Sequence, residues 1–261
     1  MSAEAHSQLV TRRNEGGVAV LTLNVPQKRN VLSAALVQAI GARFDEVEKD
    51  ESVRCVVLTG AGSAFCAGAE LSTLRAASDG DFDTVRVVYD GFLRVLRSPL
   101  PTIAAVNGPA VGAGFNLALA CDVRLAAESA LFDTRFTKLR LHPGGGHTWL
   151  LSRAVGHQKA MLACLFGEVW KAERALEAGL VAEVHPDDHL LQAAIGKGRL
   201  LDDQEGIYVR TVTDSLRRAV TTATHAEQLA HETVAQEASA RREAFKVGVT
   251  AIEAQVTKGR K

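Results

Sequence analysis

The residues best placed to do chemistry in this chain sit in and around two glycine-rich turns. The first spans residues 62–71 (GSAFCAGAEL) and the second residues 107–115 (NGPAVGAGF), and each follows an apolar run. Glycine tolerates backbone conformations that a Cβ blocks, so such turns can present bare N–H groups to a ligand oxygen. Two donors converging on one oxygen would form an oxyanion hole, which stabilises charge developing on a carbonyl oxygen. Nearby in sequence, His142 and His147 bracket a third glycine run, Gly144-Gly145-Gly146, and Asp133 precedes it. A histidine titrating near neutrality can act as a general base. No cysteine or acidic residue completes a metal-ligand set with these histidines, and no metal is expected. Cys66, between Phe65 and Ala67, reads as a small buried thiol rather than a nucleophile.

The second turn also spells G-x-x-x-G-x-G through Gly108, Gly112 and Gly114. A dinucleotide fingerprint of that kind needs an acidic residue at the end of the next strand. Asp122 comes before that strand, and neither Tyr89 nor Tyr208 has a lysine four residues on. The first turn places Phe65 where a third glycine would be required. No G-x-S-x-G elbow or phosphate-loop lysine is present.

Composition bounds the answer. With 261 residues and 47% hydrophobic content, the chain can bury a substantial core. Its 30 basic and 30 acidic side chains balance, which argues against nucleic acid or an anionic membrane as the main partner. Cys55, Cys66, Cys121 and Cys164 form no CxxC pair and read as reduced thiols. The polar residues 1–8 lack the apolar segment of a secretory signal, and no apolar stretch is long enough to span a bilayer. A cytoplasmic protein is the expectation.

The elements that must position these turns alternate. Residues 18–23, 53–58, 102–106 and 123–126 read as buried strands, with a short late strand at 180–184. Ser33 can cap a helix whose apolar face is Leu36, Ile40, Phe44 and Val47. Residues 72–97 are helical apart from a break at Asp79-Gly80-Asp81. A short buried helix covers 115–120, and another starts near Trp149. Beyond Pro186 the pattern is helical. Buried strands alternating with helices indicate an α/β core.

The run Ala64-Phe65-Cys66-Ala67-Gly68-Ala69-Glu70-Leu71 resembles the AF-x-AGAD-[IL] signature of the crotonase (enoyl-CoA hydratase/isomerase) superfamily, and residues 101–108 (PTIAAVNG) resemble its P-x-IAAVNG. Cys121-Asp122, Phe132, His142-Pro143-Gly144-Gly145-Gly146 and Gly179-Leu180-Val181 follow in the expected order. The resemblance implies a crotonase-like spiral of ββα turns over residues 1–190. It also implies a C-terminal helical region, 191–261, that serves trimerisation and covers the active site. It further implies a homotrimer or a hexamer made of two trimers, a coenzyme A thioester as ligand, and no separate cofactor.

By the same resemblance, Ala69 and Ala113 supply the two oxyanion N–H groups. Lys28 and Arg29 lie along the adenosine-phosphate end of coenzyme A, where a basic loop suits a phosphate. Val31, Ala67, Glu70, Leu71, Pro109, Asn116, Phe136 and Gly144 match positions that contact the bound thioester. The basic residues 258–261 are a second candidate phosphate contact.

The departure from the family is specific. Its hydratases use two glutamates, one to activate water and one to protonate the α-carbon. Here those positions hold Asn116 and Phe136, neither of which exchanges a proton at neutral pH. His142 and Asp133 become the leading catalytic candidates. His147 is ranked below them, because it should point along the following helix. Two readings stay open: an enoyl-CoA hydratase or isomerase with non-standard catalytic residues, and a non-catalytic acyl-CoA-binding protein of the same fold.

Overall fold

In a computed structural model, residues 8–258 are described. Residues 1–7 and 259–261 lie outside the described set, and with them most of the N-terminal segment and of the C-terminal basic cluster. The main sheet has six strands. They are β1 (Val10–Glu15), β2 (Val18–Leu23), β3 (Cys55–Gly60), β4 (Thr102–Val106), β6 (Val123–Ala127) and β9 (Glu183–His185), in the order β1-β2-β3-β4-β6-β9. β1 and β2 pair antiparallel and every later neighbour pairs in parallel. A second sheet joins β5 (Pro109–Val111), β7 (Leu131–Asp133) and β8 (Trp170–Lys171) in the order β5-β7-β8.

The helices follow from capping and periodicity. The Ser33 hydroxyl accepts the Leu36 N–H and starts α1 (Ala34–Lys49), which buries Leu36, Ile40, Phe44 and Val47 on one face. The Asp79-Gly80-Asp81 break separates α2 (Leu71–Ser78) from α3 (Asp83–Leu96). α4 (Ala113–Leu119) follows the second turn, and a single turn, α5 (Phe136–Leu139), lies beyond β7. α6 (His147–Val155) starts two residues before Trp149, and α7 (His157–Cys164) and α8 (Ala172–Ala178) come next.

Side chains alternate across β2, so the sheet has two cores. Ala19, Leu21 and Leu23 face α1 and Phe92 of α3 in the larger core. Val18 and Val20 join Cys55, Val57 and Ile103 on the other face. That face is covered by Leu190, Ala194 and Ile195 of α9 (Leu190–Arg199). α9 approaches so closely that a Cβ on Gly198 would lie 2.8 Å from the Val18 Cγ2. The chain divides into two compact units, residues 1–202 and 203–261. The second unit contains α10 (Gly206–Ala219), α11 (His225–Ala240) and α12 (Glu243–Lys258), with Thr224 and Glu227 forming a capping box at the start of α11.

The strand at 53–58 is shifted to β3, starting at Cys55, and the late strand is shifted to β9. Features without a counterpart in the sequence reading include the polar edge strand β1, the small sheet of strands two and three residues long, and the single helical turn α5.

Candidate active site

The two glycine turns are pressed together. Cys66 donates its N–H to the Pro109 carbonyl at 3.1 Å, and Val111 returns one to the Cys66 carbonyl at 3.0 Å. The contact exists because Gly114 has no side chain: a Cβ there would lie 2.0 Å from the Cys66 oxygen. Gly68 has φ +104, and a Cβ on it would lie 2.8 Å from the Val111 carbonyl oxygen and 3.9 Å from the Ala113 nitrogen. The backbone just before Ala69 therefore abuts the backbone at Ala113. Ala113 is the first residue of α4, so its N–H has no intrahelical acceptor. The backbone segments that carry the two expected oxyanion donors, Ala69 and Ala113, are thus neighbours although 44 residues apart in sequence (69 to 113).

Two asparagines hold this arrangement. The Asn107 side chain accepts the Gly60 N–H at 3.0 Å and donates to the Gly62 carbonyl at 3.0 Å, tying the first turn to the end of β4. Asn30, fully buried, accepts from the Val25 N–H at 2.9 Å and donates to the carbonyls of Ala61 and Ala64 at 3.0 and 2.8 Å. Ala67 then donates to the Arg29 carbonyl and Leu32 to that of Gly68, so residues 29–32 run beside the first turn. This places exposed Lys28 and Arg29 next to the oxyanion segment, with the Lys28 ammonium 3.2 Å from the Glu70 carboxylate. Val31, Ala67, Glu70 and Pro109 are half-buried, while Leu71 is exposed.

Asn116 lies three residues into α4 and is buried. Its amide NH₂ donates to the Gly144 carbonyl at 3.1 Å, and its oxygen lies 2.5 Å from Nδ1 of His147. His147 opens α6 with its ring fully buried, instead of pointing along the helix. The ring meets Phe115 and Phe136 edge-on, at centroid distances of 5.3 and 5.1 Å. Burial disfavours its charged form and pulls its pKa from 6.5 down to about 4. Tyr89 of α3 sits against the same loop: a Cβ on Gly144 would lie 2.3 Å from its hydroxyl. Sequence reading gave Tyr89 no role here and ranked His147 low. The only local signal for His147 was a histidine directly after three glycines.

His142 is exposed, with Nδ1 2.8 Å from the Pro143 carbonyl. Asp133 is buried at the end of β7. Its carboxylate accepts the Arg135 N–H at 2.7 Å and pairs with the guanidinium of Arg135 at 2.9 Å and the ammonium of Lys138 at 3.4 Å. Among the described residues no cluster of histidine, cysteine, aspartate and glutamate has the makings of a metal site, and no helix is long and apolar enough to cross a membrane.

The family model described as enoyl-CoA hydratase/isomerase matches residues 13–257. The chain belongs to the enoyl-CoA hydratase/isomerase family. It is 54% identical over 172 residues to the "Probable enoyl-CoA hydratase" EchA14 of Mycobacterium tuberculosis, covering 65% of this chain and 67% of that protein. It is 35% identical over 246 residues to the 1,2-epoxyphenylacetyl-CoA isomerase of Escherichia coli K12, covering 92% of this chain and 94% of that one. Among solved structures, an enoyl-CoA hydratase homologue from Thermobifida fusca in complex with acetoacetyl-CoA superposes with a TM-score of 0.80 at 28% identity, covering 91% of this chain and 97% of that one. The fold is the crotonase fold.

Proposed function

We propose that this member of the enoyl-CoA hydratase/isomerase family is an acyl-CoA enzyme that stabilises a thioester enolate between the N–H groups of Ala69 and Ala113. The observation that carries the reading is the abutment of the two turns, which leaves Gly68 against the Ala113 amide. Donors fixed in advance by the Cys66–Pro109 and Val111–Cys66 hydrogen bonds need no reorganisation as charge develops on the thioester oxygen. Lys28 and Arg29 supply positive charge for the phosphates of coenzyme A. Val31, Ala67, Glu70, Leu71 and Pro109 line its path. The reading calls for no cofactor besides the thioester.

Asn116 and Phe136 stand at the positions where hydratases carry their two glutamates, and neither exchanges a proton at neutral pH. That observation favours a second reading, an acyl-CoA-binding protein without turnover. Crotonyl-CoA hydration, measured beside binding of short- and long-chain acyl-CoA, separates the two. Binding with turnover supports the enzyme, and binding with no turnover on any enoyl thioester supports the carrier. No binding of any CoA thioester would remove both.

A soluble cytoplasmic homotrimer, or a hexamer of two trimers, completes the proposal. Its support is the exposure of Leu216, Leu229, Val234, Phe245 and Ile252 on the helices of the second unit. Light scattering coupled to gel filtration tests the assembly.

A further inference from the structure

Tyr89 ends in a hydroxyl that the fold gives no task. Tyr89 and Phe92 lie three residues apart on α3 and share one face, with ring centroids 5.7 Å apart. Their tips press on successive glycines of the third run. A Cβ on Gly144 would lie 2.3 Å from the Tyr89 hydroxyl, and one on Gly145 would lie 2.3 Å from Cζ of Phe92. Phe92 is fully buried and serves packing. Tyr89 is half-buried, and its hydroxyl makes no hydrogen bond to another described residue. Nor does it belong to the enclosed side-chain atoms that lack a partner, so water reaches it. The Gly144 carbonyl is not its acceptor, being taken by the Asn116 amide at 3.1 Å and the His147 N–H at 3.3 Å. A second phenylalanine would pack against Gly144 as Phe92 packs against Gly145. The hydroxyl is what packing leaves unexplained.

Its place relative to the expected oxyanion donors is defined by contacts. Asn116 stands three residues beyond Ala113 on α4, holds Gly144, and Gly144 meets the phenol. Ala69, Ala113, Phe136, Gly144 and Tyr89 each keep part of their surface open, so a ligand meets them from solvent without entering the core. We propose that Tyr89 selects acyl groups that carry a keto or hydroxyl oxygen beyond the β-carbon, by donating its O–H to that oxygen. The proposal rests on the acyl-CoA reading above and holds for an enzyme and for a binding protein alike. A helical turn and a hydrogen bond separate Ala113 from the phenol in this chain of contacts, which places the selected oxygen well out along the acyl group.

The discrimination has two parts. An acyl oxygen replaces the water on the hydroxyl with a hydrogen bond of its own. A wholly apolar chain displaces the same water and returns nothing, so the phenol is left unpaired against it. Because Tyr89 is only half-buried, the preference is moderate and not absolute. Gly144 permits the arrangement, since any side chain there would collide with the hydroxyl.

The test measures calorimetric affinities of wild-type protein and Tyr89→Phe for hexanoyl-CoA, 4-oxohexanoyl-CoA, 5-oxohexanoyl-CoA and 6-hydroxyhexanoyl-CoA. Butyryl-CoA, which carries no distal oxygen, reports acyl-CoA binding as such. We expect wild-type protein to bind at least one of the oxygenated chains about fivefold or more tighter than hexanoyl-CoA, the scale of one hydrogen bond. In Tyr89→Phe that ratio should fall to about one, through weaker binding of the oxygenated chain and tighter binding of hexanoyl-CoA.

Wild-type protein that binds butyryl-CoA but ranks hexanoyl-CoA level with or above all three oxygenated chains overturns the proposal. A preference that survives in Tyr89→Phe also overturns it, because another group then reads the oxygen. If wild-type protein binds none of the thioesters, butyryl-CoA included, the acyl-CoA reading itself fails, which is a distinct result. Should Tyr89→Phe not fold, Gly144→Ala decides: its Cβ displaces the hydroxyl, and an unchanged preference in that variant would sink the idea.

Discussion

His147 Nδ1 lies 2.5 Å from the side-chain oxygen of Asn116, across 31 residues of sequence. The contact ties the start of α6 to the helix that begins at Ala113. It also fixes which nitrogen carries the proton on a fully buried ring.

That buried neutral ring makes stability depend on pH. The folded pKa of about 4 lies below the unfolded value of 6.5, so the unfolded state binds the proton more readily. His147 therefore contributes its full share of stability above pH 6.5 and loses it as pH falls from there through about 4. Between pH 7 and pH 5 the expected loss is about 2 kcal/mol. Urea unfolding of wild type and His147→Gln at both pH values checks this. The variant should lose less stability over the same interval, and equal slopes would count against the assignment.

Gly114→Ala should be among the most damaging small substitutions in the chain. Its Cβ would lie 2.0 Å from the Cys66 carbonyl oxygen, with backbone on both sides of the clash. Separating the turns disrupts the Cys66–Pro109 and Val111–Cys66 hydrogen bonds and displaces Ala113. We expect destabilisation above about 3 kcal/mol, or failure to fold. Thermal unfolding and acetoacetyl-CoA binding report the two consequences.

Asn30 separates backbone from side-chain effects. Its φ is +54, a region asparagine tolerates and glycine occupies freely. Its side chain makes three buried hydrogen bonds. Asn30→Gly should cost about 1–3 kcal/mol through the lost bonds alone. Asn30→Ala should cost more, because it adds backbone strain. Denaturation midpoints that rank the two the other way would show that the loop carries no strain.

The thiols should be quiet in the native protein. Burial pushes Cys55 and Cys66 up to about 12 and also raises half-buried Cys164, while Cys121 is buried. A thiol-specific chromogenic reagent at pH 8 should label Cys164 slowly and the other three only after denaturant is added. Rapid native labelling of Cys66 would contradict its burial between the turns.

How much was legible in the sequence followed the range of the interactions involved. The glycine turns, the Ser33 cap and the Asp79-Gly80-Asp81 break were readable because each reflects a demand made on its own few residues. β1 was not, because its run VTRRNE is an edge strand with few buried positions and gains its order by pairing with β2. The strands of the small sheet are too short for any period to show. The starts of β3 and β9 moved by two or three residues, since strand ends are set by neighbouring strands.

The sequence by itself determined the fold family and the two glycine-rich turns that each follow an apolar run. Those follow from residue types and spacing along one chain. Only the tertiary structure decided which polar groups from separate elements meet. His147 meets Asn116, Tyr89 meets Gly144, and Asp133 meets Arg135 and Lys138. Burial and ring orientation arise when separate elements pack, and they set whether a histidine is a solvated loop residue or a buried neutral ring.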